Sequence, residues 1–143
     1  MGLNRNLIGK EYVSQDYSVT AEATAAYARA YNEDNACFFD ADTPEGIIAP
    51  PMFGVVAGWL SIMMVVTDSE LNVDVLRLLH SQQDMRFLRP IVPGDRITST
   101  ATIRAIEDQR AGESMTLEIH SHNQHGKAVQ QFTFTAFIRG HGR

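Results

Sequence analysis

Between Ile47 and Val66 the chain reads IIAPPMFGVVAGWLSIMMVV, twenty residues without a charged side chain. Such a stretch belongs inside a membrane or inside a protein. Pro50 and Pro51 decide between the two. Proline is tolerated in a first helical turn, where its missing N–H has no bond to lose, so the helix starts near Met52 and runs to Val66. At ~1.5 Å per residue that is about 22 Å, against a hydrocarbon core of ~30 Å. The segment is predicted to be a helix apolar on every face, too short to span a bilayer and therefore buried within the protein, ending at Asp68-Ser69.

The flanking sequence supplies what would bury it. Ile97, Ser99, Ala101, Ile103 and Ala105 alternate with Thr98, Thr100, Thr102 and Arg104, the period-two pattern of a half-buried strand. Met115, Leu117 and Ile119 repeat that pattern, as do Phe132, Phe134, Ala136 and Ile138. Turn signals at Asp108 to Gly112 and Asn123 to Gly126 join the three into a meander. A fourth strand, Leu79 to Leu88, precedes the turn Pro93-Gly94-Asp95. Upstream lie a strand over Glu11 to Ser18, a helix from Ala21 to about Tyr31 capped by Thr20, and a polar loop from Asn32 to Ala49. One antiparallel sheet wrapped around one long buried central helix satisfies every apolar face. The expected class is α+β, a single hotdog domain over residues 1–143, with sheet or helix surface left for a dimer contact.

The bulk numbers exclude several functions. Seventeen acidic against twelve basic residues give a net charge of -5, which opposes a polyanion. Arg139, His141 and Arg143 are read as a solvated tail. A lone cysteine, Cys37, makes neither an intrachain disulfide nor a thiolate zinc site, and the N-terminus lacks an apolar signal segment, so a reducing cytoplasm is expected. His120 and His122, with His125 nearby, share a strand face opposite Met115, Leu117 and Ile119. They are read as solvent-facing, with no metal expected.

Two segments resemble the MaoC-like dehydratases and hydratases, in particular the N-terminal-type, FAS1-like dehydratase half of that family. They are IIAPPMFGVVAGW (Ile47 to Trp59) and HSQQDMRFLRPIVPGDRITSTATI (His80 to Ile103), with HNQHGKAV (His122 to Val129) in support. The resemblance implies water addition to a trans-2-enoyl thioester, or its removal from an (R)-3-hydroxyacyl thioester. The family's loop resembles G-D-x-N-P-x-H, whose Asp and His form the acid–base pair. Laid on this sequence, the loop's Asn falls on Asn35, its Asp on Glu33 and its His on Phe38. The adjacent register offers Phe39. The glycine whose N–H would stabilise the thioester enolate aligns with Pro51, which has none.

The expected function is therefore the acyl-binding half of such a hydro-lyase, needing a partner that carries the Asp/His loop. The catalytic candidates are Glu33, Asp34 and His80. The substrate-binding candidates are Asn35, Met52, Phe53 and Gly54, with Arg86 and Arg89 for carrier phosphates. No cofactor is implied beyond the coenzyme A or acyl carrier protein bearing the thioester. The alternatives are a self-sufficient homodimer using Glu33 or Asp34 with His80, and a non-enzymatic acyl-thioester-binding protein. A thioesterase is disfavoured because Met52 to Val66 offers no carboxylate.

Overall fold

A computed structural model describes residues 2–140, so His141 and Arg143 of the basic tail lie outside the described residues. Two short strands, β1 (Glu11–Val13) and β2 (Tyr17–Ser18), precede α1 (Ala21–Ala30), whose Thr20 side chain accepts the Ala23 N–H. A 3₁₀ turn (Pro51–Phe53) leads into α2 (Gly54–Val66). Then come β3 (Leu78–Phe87), β4 (Arg96–Gln109), β5 (Gly112–His122) and β6 (Ala128–Arg139). The sheet is antiparallel in the order β1-β4-β5-β6-β3, with β2 also on β4. α2 lies on its inner face, where Ile62, Val65 and Val66 pack with Ala101, Ile103, Leu117, Ile119, Phe132 and Phe134. This is the expected hotdog arrangement. No helix among the described residues is long and apolar enough to cross a membrane.

Three expectations are corrected, and the pairing of the strand after α2 is added to them. The strand over Glu11 to Ser18 is broken, because Ser14 turns inward. Its N–H donates to the Ser99 carbonyl and its Oγ accepts the Ser99 N–H. The register on β4 jumps accordingly, from Val13↔Thr100 to Tyr17↔Ile97, leaving one residue extra upstream. Within β4 the alternation holds only to Ile103. A bulge between Ile103 and Ala105 shifts the register, so Ile106 takes the buried position assigned to Ala105. The strand after α2 does not pair with its sequence neighbour β4. It crosses to β6 and leaves its other edge free.

The third correction concerns α2. Its apolar character on every face does not mean burial on every face. Trp59, Leu60, Met63 and Met64 are 41%, 40%, 39% and 41% exposed, and Met52 in the preceding turn is 44% exposed. A sheet can cover only one side of a helix, and the other side waits for something else.

Polar groups lock the far end of α2. Lys10 Nζ and Tyr12 Oη both donate to Asp68 Oδ2 at 2.7 Å, while Asp68 Oδ1 accepts the Glu70 N–H. The bonds from Lys10 and then Tyr12 lower the Asp68 carboxyl from 3.8 to about 2, and burial raises the Tyr12 hydroxyl to about 12, with its bond to Asp68 adding to the shift. A depressed carboxyl stabilises the native state above its ordinary titration range and loses that contribution as pH falls toward 2. A raised hydroxyl stabilises below pH 10 and loses its contribution as pH climbs toward 12. Urea denaturation of Asp68→Asn should show less stability than wild type at neutral pH and a flatter decline in acid. Parallel acid profiles would contradict this.

Candidate functional site

The start of α2 is where the sequence invests its unusual residues. Pro50 and Pro51 supply no N–H, so the first backbone donor of the turn belongs to Met52. The Phe53 N–H bonds to the Pro50 carbonyl, and the Gly54 N–H is taken by Met52 and Pro51. From β6, Gln130 reaches this turn: its Nε2 donates to the Gly54 carbonyl at 2.6 Å and to Ser121 Oγ at 3.2 Å. Ser121 Oγ pairs with Ser99 Oγ at 2.7 Å, and Ser99 N–H meets Ser14 Oγ at 3.0 Å. A buried polar row thus crosses the inner face of the sheet, from the β1–β2 break to the helix start. Gln130 is only 2% exposed, and its Oε1 has no hydrogen-bond partner. An orphaned buried acceptor of this kind costs about 1–3 kcal/mol.

Beside the row opens a cavity of about 240 Å³, walled by Ala49, Pro50, Pro51, Leu88, Ile91 and Val129, with Gln130 and Arg89 also contributing. The wall is mainly apolar, the kind that receives an aliphatic group. Its closing strap is the loop after α1, tied down by the Ile48 N–H to the Cys37 carbonyl and the Ala49 N–H to the Ile91 carbonyl.

In that loop Asn32 adopts a left-handed conformation, with φ of 62°. The Glu33 carboxylate turns back on its own backbone, accepting the N–H groups of Asp34 and Asn35 at 3.1 and 3.0 Å. Asn35 Oδ1 accepts the Cys37 N–H at 3.2 Å and caps a 3₁₀ turn over Ala36–Phe38. Asp34 is exposed, while Phe38 is buried and Phe39 half-buried beneath the Arg29 guanidinium. His80 lies on β3 opposite Ala136, its ring centroid 4.4 Å from that of Phe134. No hydrogen bond or ion pair joins it to Glu33 or Asp34 among the described residues.

The other candidates are spread around the helix start. Met52 faces out, whereas Phe53 is 2% exposed and receives the ring edges of Tyr17 and Tyr27, which makes it core. Gly54 is buried against Gln130. Arg89 is exposed on the cavity wall, and Arg86 is exposed on β3, lining a separate groove with Gln131. On the outer sheet face Glu118 forms an ion pair with Arg104 and is hydrogen-bonded to His120. Arg104 first, and His120 second, hold the Glu118 carboxyl below its usual range. No group of three metal-binding side chains occurs among the described residues.

Sequence reasoning overlooked the polar row, although the signal was present. Ser99, Ser121 and Gln130 occupy apolar-parity positions, next to Ile97 and Ala101, Ile119, and Phe132. A polar residue on an otherwise apolar strand face needs a buried partner, and three at one level of neighbouring strands supply one another.

Known proteins place this architecture. Residues 6–132 match the FAS1-like dehydratase domain region. The chain is 30% identical over 146 residues to a UPF0336 protein of Thermobifida fusca, covering 98% of this chain and 96% of that one. It is 29% identical over 135 residues to a UPF0336 protein of Streptomyces coelicolor, covering 90% of each. A segment of the Saccharomyces cerevisiae fatty acid synthase subunit beta is 25% identical over 130 residues, spanning 88% of this chain and 6% of that protein. Among solved structures, the HadBC (3R-hydroxyacyl-ACP dehydratase) complex of Mycobacterium tuberculosis superposes with a TM-score of 0.77. That match is 17% identical and covers 91% of this chain and 96% of the other. The MaoC-like dehydratase of Rhodospirillum rubrum gives a TM-score of 0.74 at 19% identity, covering 98% and 99%. With the helix wrapped by its sheet in the hotdog manner and residues 6–132 matched, the chain belongs to the FAS1-like dehydratase domain region family.

Proposed function

We propose that this chain is the acyl-thioester-binding, non-catalytic subunit of an (R)-specific enoyl-thioester hydratase or 3-hydroxyacyl-thioester dehydratase, completed by a partner bearing the Asp/His loop. The observation that carries the reading is the state of its own loop. The carboxylate at the acid–base position, Glu33, is engaged by two backbone N–H groups, and the residue at the histidine position, Phe38, is buried in the fold. A general acid–base pair needs two proton-exchanging groups within hydrogen-bond reach of one substrate, and this loop offers a phenyl ring in place of one of them. The apolar cavity beside the helix start supports acyl binding. The open face of α2 and the free edge of β3 supply a surface for the partner.

The test is crotonyl-CoA hydration, followed as loss of the enoyl-thioester absorbance, with the chain alone and with a MaoC-like subunit carrying the complete loop. Background turnover alone and turnover restored by the partner are expected. Full activity from the chain alone sinks the proposal. Glu33→Gln and His80→Ala separate it from the self-sufficient homodimer. Each should leave the rate of the reconstituted pair within about twofold, whereas loss of a true acid–base group lowers it by roughly 10²–10⁴.

A further inference from the structure

Among the described residues Gln130 is the one buried side chain with a polar atom that nothing partners, and it stands in the wall of the apolar cavity. Both of its amide hydrogens are engaged, by the Gly54 carbonyl at 2.6 Å and by Ser121 Oγ at 3.2 Å. Turning the amide over would set Oε1 against that carbonyl, so the acceptor keeps its place. The Ser121 hydroxyl faces the nitrogen and is paired with Ser99. Oε1 lies where a side chain at position 54 would begin. Side chains on a helix lean toward its N-terminus, and α2 starts from the Pro50-Pro51 turn that walls the cavity. The orphaned acceptor therefore faces the cavity end of the helix.

The wall restricts what can meet it. Pro50, Pro51 and Pro90 have no N–H to offer. The N–H groups of Ile48 and Ala49 bond to the Cys37 and Ile91 carbonyls, and those of Leu88 and Arg89 to the Val129 carbonyl. An ammonium would be desolvated here with no carboxylate in the wall to pair it. An amide could give its N–H to Oε1, but its carbonyl would then lack a backbone donor among those four residues and three prolines. A hydroxyl needs only the one acceptor, and the aliphatic carbon that carries it suits the rest of the wall. At about 240 Å³ the cavity falls below the ~300 Å³ at which pockets begin to hold a drug-sized ligand, so the group is short.

We propose that Gln130 is a specificity-determining residue, whose Oε1 accepts the hydroxyl of a short hydroxylated acyl group and selects that group over its unsubstituted counterpart. The proposal rests on the acyl-thioester reading and names the acyl class that the same site prefers. Pro51 leaves the helix start without a donor at the position where an enolate oxygen would need one, and the acceptor beside it suits a hydroxyl instead.

Isothermal titration of the full chain with (R)-3-hydroxybutyryl-CoA, (R)-3-fluorobutyryl-CoA and butyryl-CoA tests this. Fluorine takes nearly the space of a hydroxyl and has no proton to donate. The hydroxylated ligand should bind at least about tenfold more tightly than the other two, as expected when a buried acceptor gains its missing bond. Gln130→Met keeps a long, adaptable side chain without the amide oxygen, and it should bind all three ligands within about twofold of one another. That variant also gives up two hydrogen bonds, so its melt is recorded beside the titration. If it does not fold, the three ligands on the wild-type chain decide alone. Equal binding of the hydroxylated and fluorinated ligands, as a water resident on Oε1 would produce, overturns the proposal and leaves acyl binding standing. So does a preference that survives in folded Gln130→Met. If none of the three binds, the acyl-thioester reading falls and the proposal with it.

Discussion

Replacing Gly54 with alanine should destabilise the fold by about 2–3 kcal/mol, although alanine is the better helix former by ~1 kcal/mol. A Cβ at position 54 would lie 1.8 Å from Gln130 Oε1 and 2.6 Å from its Cδ, which no real contact permits. The neighbour is a side chain and could in principle swing away. This one is held: it is buried, its Nε2 is fixed between the Gly54 carbonyl and Ser121, and turning the amide over would set oxygen against oxygen. Displacing it forfeits two hydrogen bonds at roughly 1 kcal/mol each and adds the 1–3 kcal/mol typical of an overfilled core. Urea denaturation measures the loss, and a cycle with Gln130→Ala assigns it. Removing the glutamine makes room for the methyl, so the double variant should be more stable than the sum of the singles by about 2 kcal/mol. A Gly54→Ala protein within 0.5 kcal/mol of wild type, or additive variants, would show that the close approach is not what position 54 requires.

That contact also shows where sequence reasoning reached and where it stopped. The strand alternation and the double proline contain the architecture, since period two and a charge-free helix each have few solutions. The breaks were hidden: Ser14 and the bulge after Ile103 depend on bonds to another strand, not on local pattern. The pairing of β3 with β6 is likewise a non-local choice between equally apolar neighbours. For the site, Phe38 could be named from the sequence because the resemblance marks that loop position as the expected histidine. The purpose of Gly54 was not, because it appears only when Gln130, 76 residues away, is seen to rest against it. The exposure of α2 lay out of reach for a related reason. Apolarity reports that a face is to be covered, and does not say which molecule covers it.

The second large effect concerns that face. Trp59, Leu60, Met63 and Met64 sit about two-fifths exposed on one side of α2, and Leu79 and Phe87 on β3 and Leu88 just beyond it are exposed, the outer edge of β3 having no strand partner among the described residues. A lone subunit gains nothing from keeping them apolar, whereas a second hotdog subunit laid against helix and edge would bury them together. Met63→Glu with Met64→Glu discriminates between these. In the isolated chain both side chains already meet water, so circular-dichroism melts should stay within a few degrees of wild type. In the proposed complex each carboxylate would be desolvated without a counter-charge, at several kcal/mol, so association with the proposed partner subunit should weaken by roughly 100-fold or more. Light scattering on mixtures with the partner reads this directly. A double variant that assembles as well as wild type would show that the open side of α2 is not the joint. A variant that fails to fold alone would show that these methionines serve the single chain after all, so the melts and the association must be measured on the same preparation.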